Sequence, residues 1–269
     1  MVKSGSDWKA VLAAQQLEFA DASFMRRYGR AVKAYEELVE VFHAWHARAV
    51  TVHRVEKGAW TEIQLRVTEG VPDRARDLVQ DVLQHFSAVL EQLAQALALH
   101  EQGQLTAAQK KSVTFPTSTR QPKGPVVGIS LLPAGAQAEI MRIQPWAMAP
   151  SNPDQHLLAR FDDLSRTTRH RSDVLSTAAS GTRSVSPGYM PYVSEMTISM
   201  ARVDGIGTDV IMAWRNDSDL GSVAISTESH FVVDEPDSPA HGQDIVQLLN
   251  ELRQVIARTV FLQLLPYLR

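Results

Sequence analysis

Apolar side chains recur at helical spacing along two stretches of the amino-terminal half of the chain. The first stretch predicts a helix from about Asp7 to Ala47, in which Gly29 is a candidate break. The second stretch follows Pro72 and predicts the clearest helix of the chain, because its apolar residues form one continuous stripe. The stripe consists of Leu78, Val82, Phe86, Val89, Leu93 and Leu97. We expect this central helix, Asp77–His100, to be the most buried element and to pack on the carboxy-terminal helix.

Alternating apolar positions predict strands in two parts of the chain. Val50 and Val52, followed beyond the turn letters EKGA by Ile63, Leu65 and Val67, predict a β-hairpin between the two helices. Three later runs with turns between them predict an antiparallel β-meander. Their apolar positions are Met196, Ile198 and Met200, then Val210, Met212 and Trp214, then Val223 and Ile225.

Residues 103–128 lose all periodicity and are rich in Gln, Lys, Ser, Thr, Pro and Gly, which predicts a long exposed loop. Phe115 is the exception, and we expect it to anchor the loop in the core. Beyond the loop, one short helix is expected to stop at Pro145 and another to start near Pro153. The Ser/Gly/Pro-rich segment Ala178–Pro187 is expected to be a connection.

A final amphipathic stretch predicts a carboxy-terminal helix over Gly242–Leu265. Long central and terminal helices with a hairpin and a meander predict the α+β class. We expect a single domain over residues 1–269. Its parts are a helix, hairpin and long helix over 1–102, the loop over 103–128, and short helices, meander and last helix over 129–269.

Composition excludes several kinds of site. The chain has 269 residues, 44% hydrophobic and 21% charged, with a formal net charge of −3, which is typical of a globular protein. This charge gives no overall field that attracts nucleic acid, so polyanion binding would depend on a local patch. The absence of cysteine excludes disulfides, thiolate nucleophiles and cysteine-ligated metals.

No segment predicts a membrane span, a leader or a cofactor. The opening letters SGSDWKAVLAAQQLEF lack the apolar segment of a signal peptide, and no later run approaches the roughly 18 apolar residues of a span. The letters DGIGTD contain G-x-G between two predicted strands instead of before a helix, which excludes a dinucleotide fingerprint. We therefore expect a cytoplasmic protein with no cofactor and no membrane partner.

The segment from Asp77 to Arg171 resembles a family of uncharacterised bacterial proteins common in actinobacteria. That family carries a long helix written G-D-x-L-H-N-L-R-S-A-L-D-H-L, then F-P-I, Q-P-Y and L-S-N-x-D-K-H-R. The matching positions are Asp81, Leu83, Ala88, Leu90, Leu93, Phe115, Pro116, Gln144, Pro145, Leu164, Ser165, His170 and Arg171. The chain departs from the family at Ser87, Glu91, Gln92, Thr168 and Arg169. The resemblance implies a fold more than an activity.

The letters DLSRTTRHR contain the strongest candidate for chemistry. If this stretch ends a helix, Asp162, Arg166 and His170 share one face. An imidazole that moves a proton, beside a guanidinium that holds a phosphate, is what metal-independent RNA cleavage needs. The stretch resembles the Arg/His pair of the HEPN ribonucleases, which is written R-x(4–6)-H, although only three residues separate Arg166 from His170. The resemblance implies catalytic roles for these two residues.

Two further arginines in that stretch, Arg169 and Arg171, are candidates for polyanion binding. The alternative is structural: Arg166 pairs with Asp162 on the helix surface, and basic residues are favoured at a helix carboxyl end anyway. This alternative is the preferred interpretation of the stretch.

Three other residues are candidate site residues. Asp81 and His85 stand four residues apart on the central helix, so they form either a functional pair or a polar pair at the edge of the core. Gln144 matches the Q-P-Y motif. His43 and His46 also share a helix face, but no third ligand or HExxH motif accompanies them, so no metal site is predicted.

Two functions therefore stay open. The first is a non-enzymatic binding or regulatory protein whose central helix and loop 103–128 present a ligand or partner surface. The second is a HEPN-like ribonuclease or nucleic-acid-binding protein that uses Arg166 and His170. The partners considered are RNA, another protein, or a second copy of the chain in a homodimer. Convergence of Asp81, His85, Gln144, Arg166, Arg169 and His170 in one cleft would favour chemistry.

Overall fold

The computed structural model describes residues 18–168, 174–184, 196–198, 201–215 and 224–269. Its α-helices are Ser23–Ala49 (α1), Asp73–Gln102 (α2), Ala107–Ser112 (α3), Ala134–Arg142 (α4), Pro145–Met148 (α5), Leu157–Thr167 (α6), Ile245–Val255 (α7) and Leu262–Leu264 (α8). Its strands are Val50–Lys57 (β1), Trp60–Val67 (β2), Leu175–Ser184 (β3), Met196–Ile198 (β4), Ala201–Asp204 (β5), Gly207–Arg215 (β6) and Ala224–Val233 (β7). These elements confirm the predicted α+β class.

The two long helices α1 and α2 form the centre of the core. The predicted stripe of α2 is fully buried, with Leu78, Val82, Phe86, Val89, Leu93 and Leu97 all 0% exposed. On α1, Phe24, Tyr28, Ala31, Leu38 and Trp45 are buried as well, at spacings that keep them on one face. The apolar face of each helix is therefore covered mainly by the other, and this contact is the most extensive one between helices.

The prediction that α2 packs on the carboxy-terminal helix was therefore wrong in part. α2 packs mainly on α1, and it contacts the carboxy-terminal segment at the last turn of that segment, Leu265–Leu268. The physical reason is the ring of Tyr28, which stands between the two. Its centroid lies 6.1 Å from that of Phe86 on α2 and 5.2 Å from that of Phe261 near the carboxyl end. The candidate break at Gly29 was also wrong, because α1 runs through that exposed residue without interruption.

The predicted hairpin is confirmed as β1 and β2, which are antiparallel and joined at Gly58, whose φ of 61° suits glycine. The later strands do not form one meander. They divide between two sheets, with strand orders β1-β2-β6-β4 and β5-β3-β7. Aromatic packing joins the second sheet to α1, since Phe231 on β7 lies 4.9 Å from Trp45 between ring centroids.

The segment Ala178–Pro187, expected as a connection, is strand over the part that β3 covers. β3 is the central strand of its sheet and pairs with both β5 and β7. Its buried positions include Thr177 and Ala179, which are polar or small. Pairing on both sides compensates for this weak apolar alternation, which is why the sequence pattern did not indicate a strand.

The carboxy-terminal helix is confirmed but is less regular than predicted. Asp244 caps α7 by accepting from the backbone N–H groups of Val246 and Gln247. The helix continues as a π-helical segment, Ile256–Phe261, before α8 and a last 3₁₀ turn. Tyr28 on α1 donates its hydroxyl to the carbonyl of Arg253, 3.4 Å away, just before this widened segment.

The predicted loop 103–128 is mostly exposed, and Phe115 is buried as expected, at 6% exposure. The loop also contains α3, which the sequence pattern did not predict. A capping box between Thr106 and Gln109 starts this short helix. Farther on, the buried amide of Gln144 holds the loop: its Oε1 accepts from the N–H of Ser118 at 3.0 Å, and its Nε2 donates to the carbonyl of Ile140 at 3.0 Å.

Replacing Leu93 by Ala should lower the free energy of unfolding by about 2–5 kcal/mol, because it leaves a cavity in a packed core. The matched control is Leu99→Ala on the same helix, since Leu99 is 47% exposed. Urea denaturation of both variants measures the difference. Equal stabilities of the two variants would contradict the assignment of the α1–α2 contact as the core.

Trypsin should first cleave the native protein at Lys110, Lys111 or Arg120, which are exposed residues of the loop. Gln144→Ala should accelerate cleavage at Arg120 more than at Lys110, because the Gln144 side chain holds Ser118 and forms no hydrogen bond with the described residues of α3. Mass spectrometry of timed digests gives the two rates. A first cut outside the loop, or an equal acceleration at both sites, would show that this account of the loop is wrong.

Candidate functional site

A small basic cavity lies between the beginning of α1 and the middle of α2. It has a volume of about 220 Å³ and is lined by Ser23, Arg26, Arg27, Arg30 and Gln92. We call this site the arginine cleft. Helix geometry explains the position of the arginines. Phe24, Tyr28 and Ala31 are buried on the face of α1 that contacts α2, so the arginines between them in sequence lie at the rim of that interface.

The three arginines of the cleft differ from six other arginines, which pair with carboxylates. Within the described part of the chain, no acidic side chain forms an ion pair with Arg26, Arg27 or Arg30. The guanidinium of Arg26 donates instead to the backbone carbonyl of Asp21. Elsewhere, carboxylates pair with Arg48, Arg74, Arg142, Arg166, Arg202 and Arg269. The cleft therefore concentrates positive charge that no carboxylate of the described residues neutralises.

His85 on α2 lies at the edge of the cleft and contacts one of its arginines. Nη1 of Arg27 lies 3.4 Å from Nδ1 of His85. A guanidinium can only donate, so Nδ1 must accept and the imidazole carries its proton on Nε2. At this length the hydrogen bond is weak. The pair can therefore separate at little cost when a better acceptor enters the cleft.

The surroundings of His85 favour its neutral form. Partial burial and then the charge of Arg27 lower the pKa of His85 below its ordinary value, and Arg30 acts in the same direction. The charge of Asp81, one turn earlier on α2, opposes these effects and raises the pKa. The hydrogen bond of His85 is made with Arg27 and not with Asp81, so the predicted Asp81–His85 pair is an electrostatic contact only.

Gln92 adds a polar group to the opposite wall. Its Oε1 is fully enclosed and has no hydrogen-bond partner within the described residues. An enclosed acceptor without a donor is costly, by roughly 1–3 kcal/mol. Because this oxygen has almost no accessible surface, a water or a ligand N–H or O–H group in the cavity would reach it only after the Gln92 side chain turns.

The other predicted site residues lie elsewhere. Arg166 is exposed and forms the i, i+4 ion pair with Asp162 that the structural interpretation predicted. Gln144 is 1% exposed and serves the loop. His170, Arg169 and Arg171 lie outside the described residues. Of the candidates that can be placed, only His85 contacts a residue of the arginine cleft, and Asp81 lies one turn before it on α2.

A second cavity, of about 420 Å³, is larger but less suited to a ligand. Its polar walls are already engaged with one another. Arg160 donates to the side chain of Gln243, Gln247 donates to Glu251, and Asp244 both caps α7 and pairs with His230. A ligand would have to replace these contacts. The larger volume of this cavity is therefore not a reason to prefer it as the ligand site.

The described residues offer neither a metal site nor a membrane-spanning helix. No group of three or more His, Cys, Asp or Glu side chains there is placed to hold a metal ion. His46, considered as a ligand from its spacing to His43, instead contacts the hydroxyl of Ser229, with 2.6 Å between Nδ1 and Oγ. Within those residues, no helix is both long enough and apolar enough to cross a bilayer.

Sequence reasoning missed Arg26, Arg27 and Arg30, although a local signal was present. In the letters FMRRYGRAVK, no acidic residue stands three or four positions before or after any of these arginines. Arginines on a helix without such neighbours cannot form the usual intrahelical ion pairs. Arg166 and Arg142 do have them, at Asp162 and Glu139.

Comparisons of the chain with protein-family models, with curated proteins and with solved structures find no significant match. The resemblance of the segment Asp77–Arg171 to a bacterial family therefore stays a prediction.

Proposed function

We propose that this protein is a non-enzymatic binding protein whose arginine cleft holds the phosphate group of a small-molecule ligand. The observation that carries the proposal is the group of three arginines around one cavity, each without a carboxylate partner among the described residues. Three like charges held together repel one another, and this repulsion is relieved when an anion enters. Binding energy is therefore available at this place.

Phosphate is the anion that suits the donors. A guanidinium presents five N–H donors in a planar fork that matches phosphate and carboxylate oxygens. A terminal phosphate offers three oxygens and close to two charges, whereas a carboxylate offers two oxygens and one charge. The beginning of α1 contributes further, because the unpaired N–H groups of a helix amino terminus favour an anion nearby.

The size of the cleft limits what enters it. At about 220 Å³ it is smaller than the roughly 300–1,000 Å³ of pockets that enclose a drug-sized ligand. A phosphate group fits with its oxygens among the arginines, and the remainder of the ligand would extend outward. A polynucleotide would instead need a basic groove that continues from one phosphate to the next. The confined charge favours a small molecule.

Arg27→Gln should weaken the binding of inorganic phosphate or of a simple phosphate monoester by about tenfold or more. The reason is that a hydrogen bond to a charged group contributes roughly 1.5–3 kcal/mol, and about 1.4 kcal/mol corresponds to a tenfold change in affinity. Arg74→Gln is the matched control: it removes the same charge from the same pair of helices, but Arg74 is paired with Glu37. Isothermal titration calorimetry measures both.

Two outcomes would overturn the proposal. One is the absence of phosphate binding to the wild-type protein. The other is an equal loss in Arg27→Gln and Arg74→Gln, which would show that only the overall charge matters. If single-stranded RNA binds and Arg27→Gln abolishes that binding while free phosphate does not bind at all, the ligand is a polymer and the small-molecule assignment is wrong.

The hypothesis of a ribonuclease that uses Arg166 and His170 is tested by a separate experiment. If that pair cleaves RNA, His170→Ala should abolish cleavage of single-stranded RNA while leaving stability nearly unchanged, because the imidazole moves the proton. Arg166→Ala should weaken both binding and turnover. Chelation of metal ions should have no effect. Equal activity of wild type and His170→Ala over varied RNAs would remove this hypothesis.

A further inference from the structure

We propose that His85 couples ligand binding at the arginine cleft to the uptake of one proton. The inference rests on the proposed function and concerns how that binding is regulated. It is carried by the contact between Arg27 and His85, because the same guanidinium that lines the cavity also donates to the imidazole. A change at His85 therefore reaches the ligand site directly.

The contact has two states. While His85 is neutral, its Nδ1 accepts from Arg27 and draws that guanidinium toward α2. When His85 is protonated, Nδ1 carries a hydrogen and both groups are donors, so the hydrogen bond cannot form. The N–H group of Arg27 that pointed at Nδ1 is then available to an anion as well, and the imidazolium adds a fourth positive charge beside the cleft. Protonation thus changes both the geometry and the charge of the site in the direction that favours an anion.

The charged groups around His85 determine when it takes up the proton. Arg27 and Arg30 face it from α1 and disfavour protonation, whereas Asp81 on its own helix favours it. An anion between the arginines offsets their charge and leaves the effect of Asp81 in place. The pKa of His85 is therefore lower in the free protein than in the bound one.

The sign of the pH dependence follows from these two pKa values. Between them, the bound protein holds a proton that the free protein lacks, so affinity for the anion rises as pH falls through this window. Below the lower pKa both forms are protonated, and above the higher pKa both are neutral. In either of those ranges His85 contributes no pH dependence to the affinity for the anion.

Sulfate is the probe that isolates this effect, because it keeps both negative charges over the range in which phosphate itself titrates. The affinity of the wild-type protein for sulfate should rise as pH is lowered between about pH 8 and 5, with a slope that approaches about tenfold per pH unit for one proton. Calorimetry in two buffers of different ionisation enthalpy should show net proton uptake in the same window.

Variants assign the proton to a residue. His85→Gln should lose the pH dependence, since the amide cannot titrate, and Asp81→Asn should shift the window to lower pH. His100→Gln is the matched control, because His100 is exposed near the other end of the same helix. In the NMR spectrum of the wild-type protein, the imidazole signal of His85 should titrate at a higher pH with sulfate present than without it.

The outcomes separate the two proposals. If neither sulfate nor phosphate binds to the wild-type protein at any pH, the proposed function fails and the proton linkage with it. If binding depends on Arg27 but His85→Gln retains the wild-type pH dependence, the linkage is overturned and the binding site stands. If the His85 signal titrates at the same pH with and without sulfate, the linkage is overturned as well.

Discussion

The packing of α1 against α2 is the contact on which both the core and the candidate site depend. On α1 the buried positions, from Phe24 through Tyr28 and Ala31, fix the rotation of the helix about its axis. That rotation leaves Arg26, Arg27 and Arg30 no position except the rim of the interface. The hydrophobic effect acts on the apolar side chains of α1, and by fixing their position it also determines where the arginine charges lie.

The sequence pattern predicted the helices well because their signal is local. The stripe of α2 repeats within a single helix, and every member of it is buried. The hairpin is equally local, since β1 and β2 are joined at Gly58. The sheets were predicted less well, because the pairing of β3 with β5 and β7 joins strands that are distant in sequence. Periodicity within one strand contains no information about which strands become its neighbours.

The site divides in the same way. Asp81 and His85 were considered together because of their spacing within one helix, and of the two only His85 contacts a residue of the cleft. Arg27 contacts His85 across 58 residues of sequence, a pairing that only the helix packing creates. The sequence nevertheless shows that no acidic residue stands three or four positions from Arg27. Such an absence is a useful signal because it marks charges that the local sequence leaves without a partner.

Arg166 and Arg27 illustrate why an arginine in a basic stretch is not by itself a site. Arg166 has Asp162 one turn earlier, and an exposed pair of this kind contributes only about 0.3–0.5 kcal/mol. Its charge is largely cancelled at the surface, so an incoming anion meets a neutralised group. Arg27 has a neutral imidazole as its partner and two further arginines beside it. An anion that enters there gains the attraction of all three, and this difference in pairing, more than the number of arginines, is what distinguishes the cleft from the stretch around Arg166.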